Sequence, residues 1–284
     1  LGFDLVISTR CTMKMSLFIS VLCCTASYAI TAQAACVLAP DCTSLGYKMT
    51  AADCEGKITV KCPTDTSKVF CKKVTAPRPQ AELPILYGDG TVSKEIITEK
   101  TPIGVVFDTT SRLAVALTDV KKDGTAGSEK MAWASNSYDI PSLSNCSTSD
   151  ILTGTRSTPI TCGTDGRSNT RLILSCGSSC GSTPAVTAIN NYQPSGCTKD
   201  FCKRNRWFLP SMRDLQNIYD IKNNLTATLT LLSNSNAVAL KDTYYWSSTE
   251  LSNTYAWHFS MNNGSRGNTF KDDHNPYVRP VIAY

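Results

Sequence analysis

His258 and His274 are the only imidazoles in this chain of 284 residues. Both fall between Ser252 and Asn275, beside Asp272, Asp273 and a run of Asn, Ser and Thr. Such residues could serve acid–base catalysis, cation binding or hydrogen-bonded recognition. Catalysis needs partners at set spacings. No H-E-x-x-H zinc helix or phosphate-binding loop accompanies the histidines. "DDHN" (Asp272 to Asn275) offers oxygens to a cation, but the segment lacks a dedicated calcium-loop pattern. The expectation is therefore recognition, with no catalytic residue, no metal site and no cofactor.

Cysteine is the other reactive residue, and there are fourteen. Setting aside Cys11, Cys23 and Cys24 leaves eleven. No CxxC pair occurs and the histidines lie far from most of them, which argues against zinc. Disulfides in an oxidising compartment are expected, with Cys42, Cys54, Cys62, Cys71, Cys146, Cys162, Cys176, Cys180, Cys197 and Cys202 as candidates. Their connectivity stays open. Cys36 is the odd one and a candidate lipid acceptor, although Gln33 departs from the usual lipoprotein signal.

Charge excludes one further class. The formal net charge of +5 is spread without a Lys/Arg block, and the cluster from Lys199 to Arg206 is interrupted by Asp200. Nucleic-acid binding is not expected.

Several elements must position these groups. Residues 1–34 read as upstream residues and a signal peptide: Lys14, an apolar run from Leu17 to Ile30, then Ala32-Gln33-Ala34. Residues 35–73 form a cysteine-dense module too short to hold together without bridges. Residues 74–84, with three prolines close together, read as an extended linker. The globular domain then spans 85–284. "PIGVVFDTTSRLAVA" predicts a hairpin, and residues 136–182 read as long stapled loops.

Two helices are predicted. One starts at Thr183-Pro184 and buries Ala185, Ala188, Ile189 and Tyr192. The other has Ser211 as N-cap, Asp214 three residues on, and Leu215, Ile218 and Tyr219 on its buried face. In "AWHFSMNNGSRGNTF" Trp257, Phe259 and Met261 alternate with His258, Ser260 and Asn262, and Asn263-Gly264 marks a turn. "YVRPVIAY" predicts a last strand, with Pro280 placing it at an edge or bulge.

"RWFLPSMRDLQNIY", "YYWSSTE", "AWHFSMNNG" and "YVRPVIAY", in that order, resemble the bacterial domain found at the C-terminus of the Legionella collagen-like adhesin. Asp214 stands where that family commonly has Glu. The resemblance implies an α+β, C-type-lectin-like domain: two helices, a twisted antiparallel sheet and long loops. The calcium signatures of sugar-binding lectins, "EPN" and "WND", are absent, and so is the C-terminal cysteine pair used by enzymes of that fold. The far C-terminus also resembles the variable proteins of diversity-generating retroelements, in which mutated Asn codons yield Asp, His, Tyr, Ser and Thr.

The expected protein is an exported bacterial ligand-binder, periplasmic, secreted or on the cell surface, engaging a protein or glycan on another cell or surface. Its expected ligand-binding residues are Asn253, Thr254, Tyr255, His258, Ser260, Ser265, Arg266, Asn268, Thr269, Asp272, Asp273 and His274, with Arg266 and Tyr255 as energetic anchors. The alternatives are an invariant adhesin or pilus-like structural protein of the same fold and, third, a periplasmic enzyme.

Overall fold

A computed structural model describes residues 79–135, 137–152 and 158–284, and the backbone alone of 58–61 and 69–72. The expected signal segment, Cys36, and the pairing of Cys42, Cys54, Cys62 and Cys71 lie outside the described residues and side chains. The chain divides into two compact units, Leu1–Pro77 and Arg78–Tyr284. In the first, β1 (Ile58–Lys61) and β2 (Val69–Lys72) pair antiparallel.

The second unit mixes helices with two antiparallel sheets. The larger has the order β4–β3–β5–β6–β11–β7. Its strands are β3 (Gln80–Tyr87), β4 (Val92–Glu95), β5 (Pro102–Asp108), β6 (Leu113–Ala116), β7 (Trp207–Phe208) and β11 (Val281–Ala283). The predicted hairpin is β5–β6, with Val106 opposite Ala114. The sheet is buried on both faces, so β5 reads as a continuous apolar run. Leu86, Ile103, Val106, Ala114 and Ile282 face one core cluster, while Ile85, Val105, Val115 and Val281 face another.

The smaller sheet, β10–β9–β8, comprises β8 (Tyr244–Glu250), β9 (Tyr255–Ser260) and β10 (Arg266–Phe270). Alternation splits it likewise. Trp246 and Ala256 join the first cluster; Tyr245, Trp257 and Phe259 join the second.

Five helices occur among the described residues: α1 (Thr148–Leu152), α2 (Gly166–Cys176), α3 (Pro184–Asn191), α4 (Met212–Asp220) and α5 (Lys222–Leu231). The two predicted helices are α3 and α4, and α4 carries the full capping box between Ser211 and Asp214. Thr183 caps α3 by position only, without a side-chain bond.

Three expectations need correction. Residues 136–182 are not only loops, because α1 and α2 lie there. Ser, Asn and Thr weaken the helical signal of α2, and its N-cap Asp165, bonded to the Ser168 N–H, supplies it instead. The linker does not reach residue 84, since β3 begins at Gln80. Pro84 is tolerated there at an irregularity of the β3–β4 register, where its missing N–H costs no ladder bond. Finally, β11 is no edge strand. It pairs with β6 on one side and β7 on the other. Pro280 sits just before it, and its carbonyl accepts the Ala116 N–H at 2.9 Å.

All six cysteines whose side chains are described form disulfides: Cys146–Cys162, Cys176–Cys180 and Cys197–Cys202. Their sequence separations are short, at 16, 4 and 5 residues.

Candidate functional site

The most recognisable motifs are frame. All four tryptophans are buried, and every indole N–H donates to a backbone carbonyl: Trp133 to Ser247, Trp207 to Cys202, Trp246 to Met131 and Trp257 to Cys146, at 2.8–2.9 Å. In "YWSST" the Ser247 hydroxyl donates to the Trp257 carbonyl. The Ser248 hydroxyl accepts from the Asn169 amide, and the Thr249 hydroxyl accepts the Met212 N–H at the start of α4. These hydroxyls satisfy backbone groups of neighbouring elements inside the core, where an unpaired group would cost about 1–3 kcal/mol.

Arg279 of "VRPV" is equally internal. Its Nε donates to Asp119 at 2.8 Å, and its other nitrogens donate to the Ala116, Val238 and Ala239 carbonyls. Burial works against its charge, but Asp119 and Tyr245 more than offset this and raise its pKa. Asp214 is buried in its capping box, and that burial pushes its carboxyl up to about 6.

Of the twelve expected ligand-binding residues, two do not face outwards. Ser260 is buried. Arg266 pairs with Phe259, so its side chain emerges on the Trp257 face, towards α4. Its guanidinium donates to the Ile151 and Thr158 carbonyls and to the Gln216 side chain at 2.6–3.0 Å. It brackets β10 to the loop after α1 and to α4. Tyr255 is half-buried against Phe270, their rings 4.7 Å apart.

The others divide by place. Asn253, Ser265, Asp272 and His274 are exposed at turns, and Thr254 is half-exposed beside Asn253. His258, Asn268, Thr269 and Asp273 come together in a cleft of about 350 Å3. Lys130, Thr243, Tyr244, Asn275 and Pro276 complete its walls. Sequence alternation could not find these five, because they join the cleft through tertiary packing; only Tyr244, flanking "YWSST", carried a local hint.

His258 is the floor of this cleft. Its ring meets Tyr244 edge-on at 4.6 Å and lies 6.1 Å from Trp246. Gly267 stands opposite it across the β9–β10 pair, and a Cβ there would lie 2.6 Å from His258 Cε1. Glycine therefore makes room for the imidazole. Burial lowers the His258 pKa to about 4, outweighing the nearby Asp273 carboxylate, so the ring is neutral at ordinary pH. Nδ1 is buried without a hydrogen-bond partner. Thr269 donates to Asp273, and Asp273 accepts the Asn275 N–H, which fixes that wall. Tyr244, 44% exposed, offers a ring edge and face at the rim. The cleft thus carries one cation, one carboxylate, several neutral hydrogen-bonding groups and an aromatic ring.

A second cleft of about 290 Å3 lies between the α2 N-terminus, α4 and the β5–β6 turn, lined by Asp108, Asp165, Arg167 and Arg213 among others. Its acidic residues are occupied locally: Asp165 caps α2, and Asp108 accepts the Thr110 and Ser111 N–H groups. Among the described residues no group of three or more His, Cys, Asp or Glu could hold a metal ion, and no helix is long and apolar enough to cross a membrane.

The Lcl C-terminal domain family matches residues 126–282, more than half of the chain. No curated protein matches it. Among solved structures, a fimbrial protein from Bacteroides ovatus aligns at a TM-score of 0.43 and 16% identity. That alignment covers 75% of this chain and 49% of the other, so the chain spans about half the length of that protein.

Proposed function

Because the chain belongs to the Lcl C-terminal domain family, we propose that it is an exported, adhesin-like binding protein that engages a protein or glycan of another surface through the Tyr244–His258 cleft. The observation that carries this reading is the division of the β8–β10 sheet. The Trp257 and Phe259 face is frame, while His258, Thr269 and Asp273 converge on the other around an exposed aromatic ring. Rigid scaffolds presenting polar loops and a Tyr are suited to recognition. Disulfides in the same unit fit an oxidising compartment. Binding is by surface complementarity, without covalent chemistry on the ligand.

The finer reading is a lectin-like domain with a diversified C-terminal face. Antiparallel sheets, two capped helices and stapled loops support the first part. The exposed Asn253, Ser265, Asp272, His274 and Asn275 support the second, since substitutions there would not disturb the frame. Diversification would spare Arg266, Gly267 and Ser260. A genomic search tests it: a near-copy of the terminal segment, differing at adenines beside a reverse transcriptase gene, is expected. Its absence from the complete genome leaves the invariant adhesin.

Cell-surface and glycan-array capture tests binding itself. Tyr244→Ala combined with Thr269→Lys should abolish capture while leaving the melting transition in place. Undiminished capture would overturn the assignment of the cleft.

A further inference from the structure

Glu250 closes β8, and Lys271 follows β10. Their side chains are 0% and 1% exposed, and the Lys271 Nζ contacts the Glu250 carboxyl directly. Every other contact of the pair holds it in place. Nζ also donates to the Tyr138 carbonyl and lies 4.9 Å from the centre of the Trp133 ring. The Lys271 N–H donates to Thr254, and its carbonyl accepts from Trp133 and Ala134. On the acidic side, the Ile140 N–H lies 3.3 and 3.4 Å from the two carboxyl oxygens. Amine and carboxyl are thus apposed in a buried site, with an N–H donor aimed at the oxygens.

As a salt bridge this arrangement carries the desolvation cost of two buried charges, set against the bonds to the Tyr138 carbonyl and the Ile140 N–H. Burial pushes the Glu250 carboxyl up to about 7 and pulls the Lys271 ammonium down, each against the attraction of its partner. Both move towards the neutral pair, which is the reactive one.

We propose that Lys271 and Glu250 condense to an intramolecular side-chain amide, a covalent brace across the base of the β9–β10 hairpin. The Nζ lone pair adds to Glu250 Cδ, and the carbonyl π electrons move onto the oxygen held by the Ile140 N–H. One N–H proton passes to the departing hydroxyl. Water leaves, and the carbonyl re-forms. One amine and one carboxylic acid give one amide and one water, so no oxidant or activating group is needed. The driving factor is apposition: groups held in attack geometry react at effective concentrations on the order of 10⁵ M or more. Oriented backbone N–H groups stabilise the developing oxyanion. The brace encloses residues 251–270, most of the proposed variable segment, and would hold that segment's ends together whatever side chains it carries.

Mass spectrometry of the exported chain after disulfide reduction tests the proposal. Expected is an intact mass lower than the sequence mass by one water, about 18 Da. Trypsin should fail to cut after Lys271, and a branched peptide should join Lys271 to Glu250. Glu250→Gln should form the same amide by releasing ammonia, and Lys271→Met should recover its full sequence mass. A wild-type chain of full mass that trypsin cuts after Lys271 overturns the brace. So does a water loss that survives Lys271→Met or maps elsewhere. If Lys271→Met does not fold, the wild-type peptide map decides alone. Loss of the brace would leave the binding reading intact, since the cleft residues are separate from this pair.

Discussion

Arg266 is where sequence pattern and three-dimensional register disagree most. As an outward anchor its loss should weaken binding and leave the fold alone. As a bracket its loss should do the reverse. The guanidinium makes three bonds within 3.0 Å, to Ile151, Thr158 and Gln216. Hydrogen bonds from a charged donor contribute about 1.5–3 kcal/mol each, and three on one half-buried group are not additive. Removal also leaves two backbone carbonyls to be rehydrated. Arg266→Ala should therefore destabilise the domain by about 3 kcal/mol. For a domain of this size that lowers Tm by about 6–12 °C. Calorimetry of the purified protein measures it, alongside ligand capture in excess ligand at a temperature where the variant is folded. Arg266→Lys keeps the charge but not the fork and should fall between the two. A cycle with Gln216→Ala should show coupling, because the partners touch. An Arg266→Ala domain that melts within about 1 °C of wild type and has lost capture would refute the bracket and restore the anchor.

Three further outcomes are expected. Gly267→Ala should displace the His258 ring, whose Cε1 would lie 2.6 Å from the new Cβ; capture falls and the His258 ring resonances move, and unchanged resonances would show that the ring does not lie over Gly267. His258 has a folded pKa below its unfolded one, so its contribution is present above about pH 6.5 and lost as pH falls towards about 4. Asp214, raised to about 6, acts in the opposite sense across the same range, so the informative quantity is the wild type minus His258→Gln difference in stability, which should shrink on acidification. Replacing both Cys146 and Cys162 by Ser opens a loop of 16 residues and should cost about 3 kcal/mol in chemical denaturation; no measurable loss would mean the loop is held by its other contacts.

The sequence carried some of this and concealed the rest for physical reasons. Ser211 and Asp214 were legible because a capping box is local. Trp257, Phe259 and Met261 were legible because alternation is local too. Arg266 was not, because its face depends on pairing with Phe259 and that register is a tertiary fact. The same holds for Lys130 and Asn275, which join His258 only once distant segments pack. Helix α2 was hidden by Ser, Asn and Thr, which favour caps and turns as readily as helix. Pro280 misled because it was assigned to the strand rather than to the residue before it. Glu250 and Lys271 carried no local signal, since nothing at either position announces a buried partner 21 residues away.

Strand β11 also governs when the fold can form. It fills the gap between β6 and β7, bringing Val281 opposite Val115 and Phe208. Neither neighbour can complete its ladder until residues 281–283 have been synthesised. Synthesis from the N-terminus therefore delivers almost the whole domain before its large sheet can close. Non-local pairing of this kind is slow to nucleate. Until then β6 and β7 each keep an open edge, so the core behind Val115 and Phe208 is closed by the last residues of the sheet.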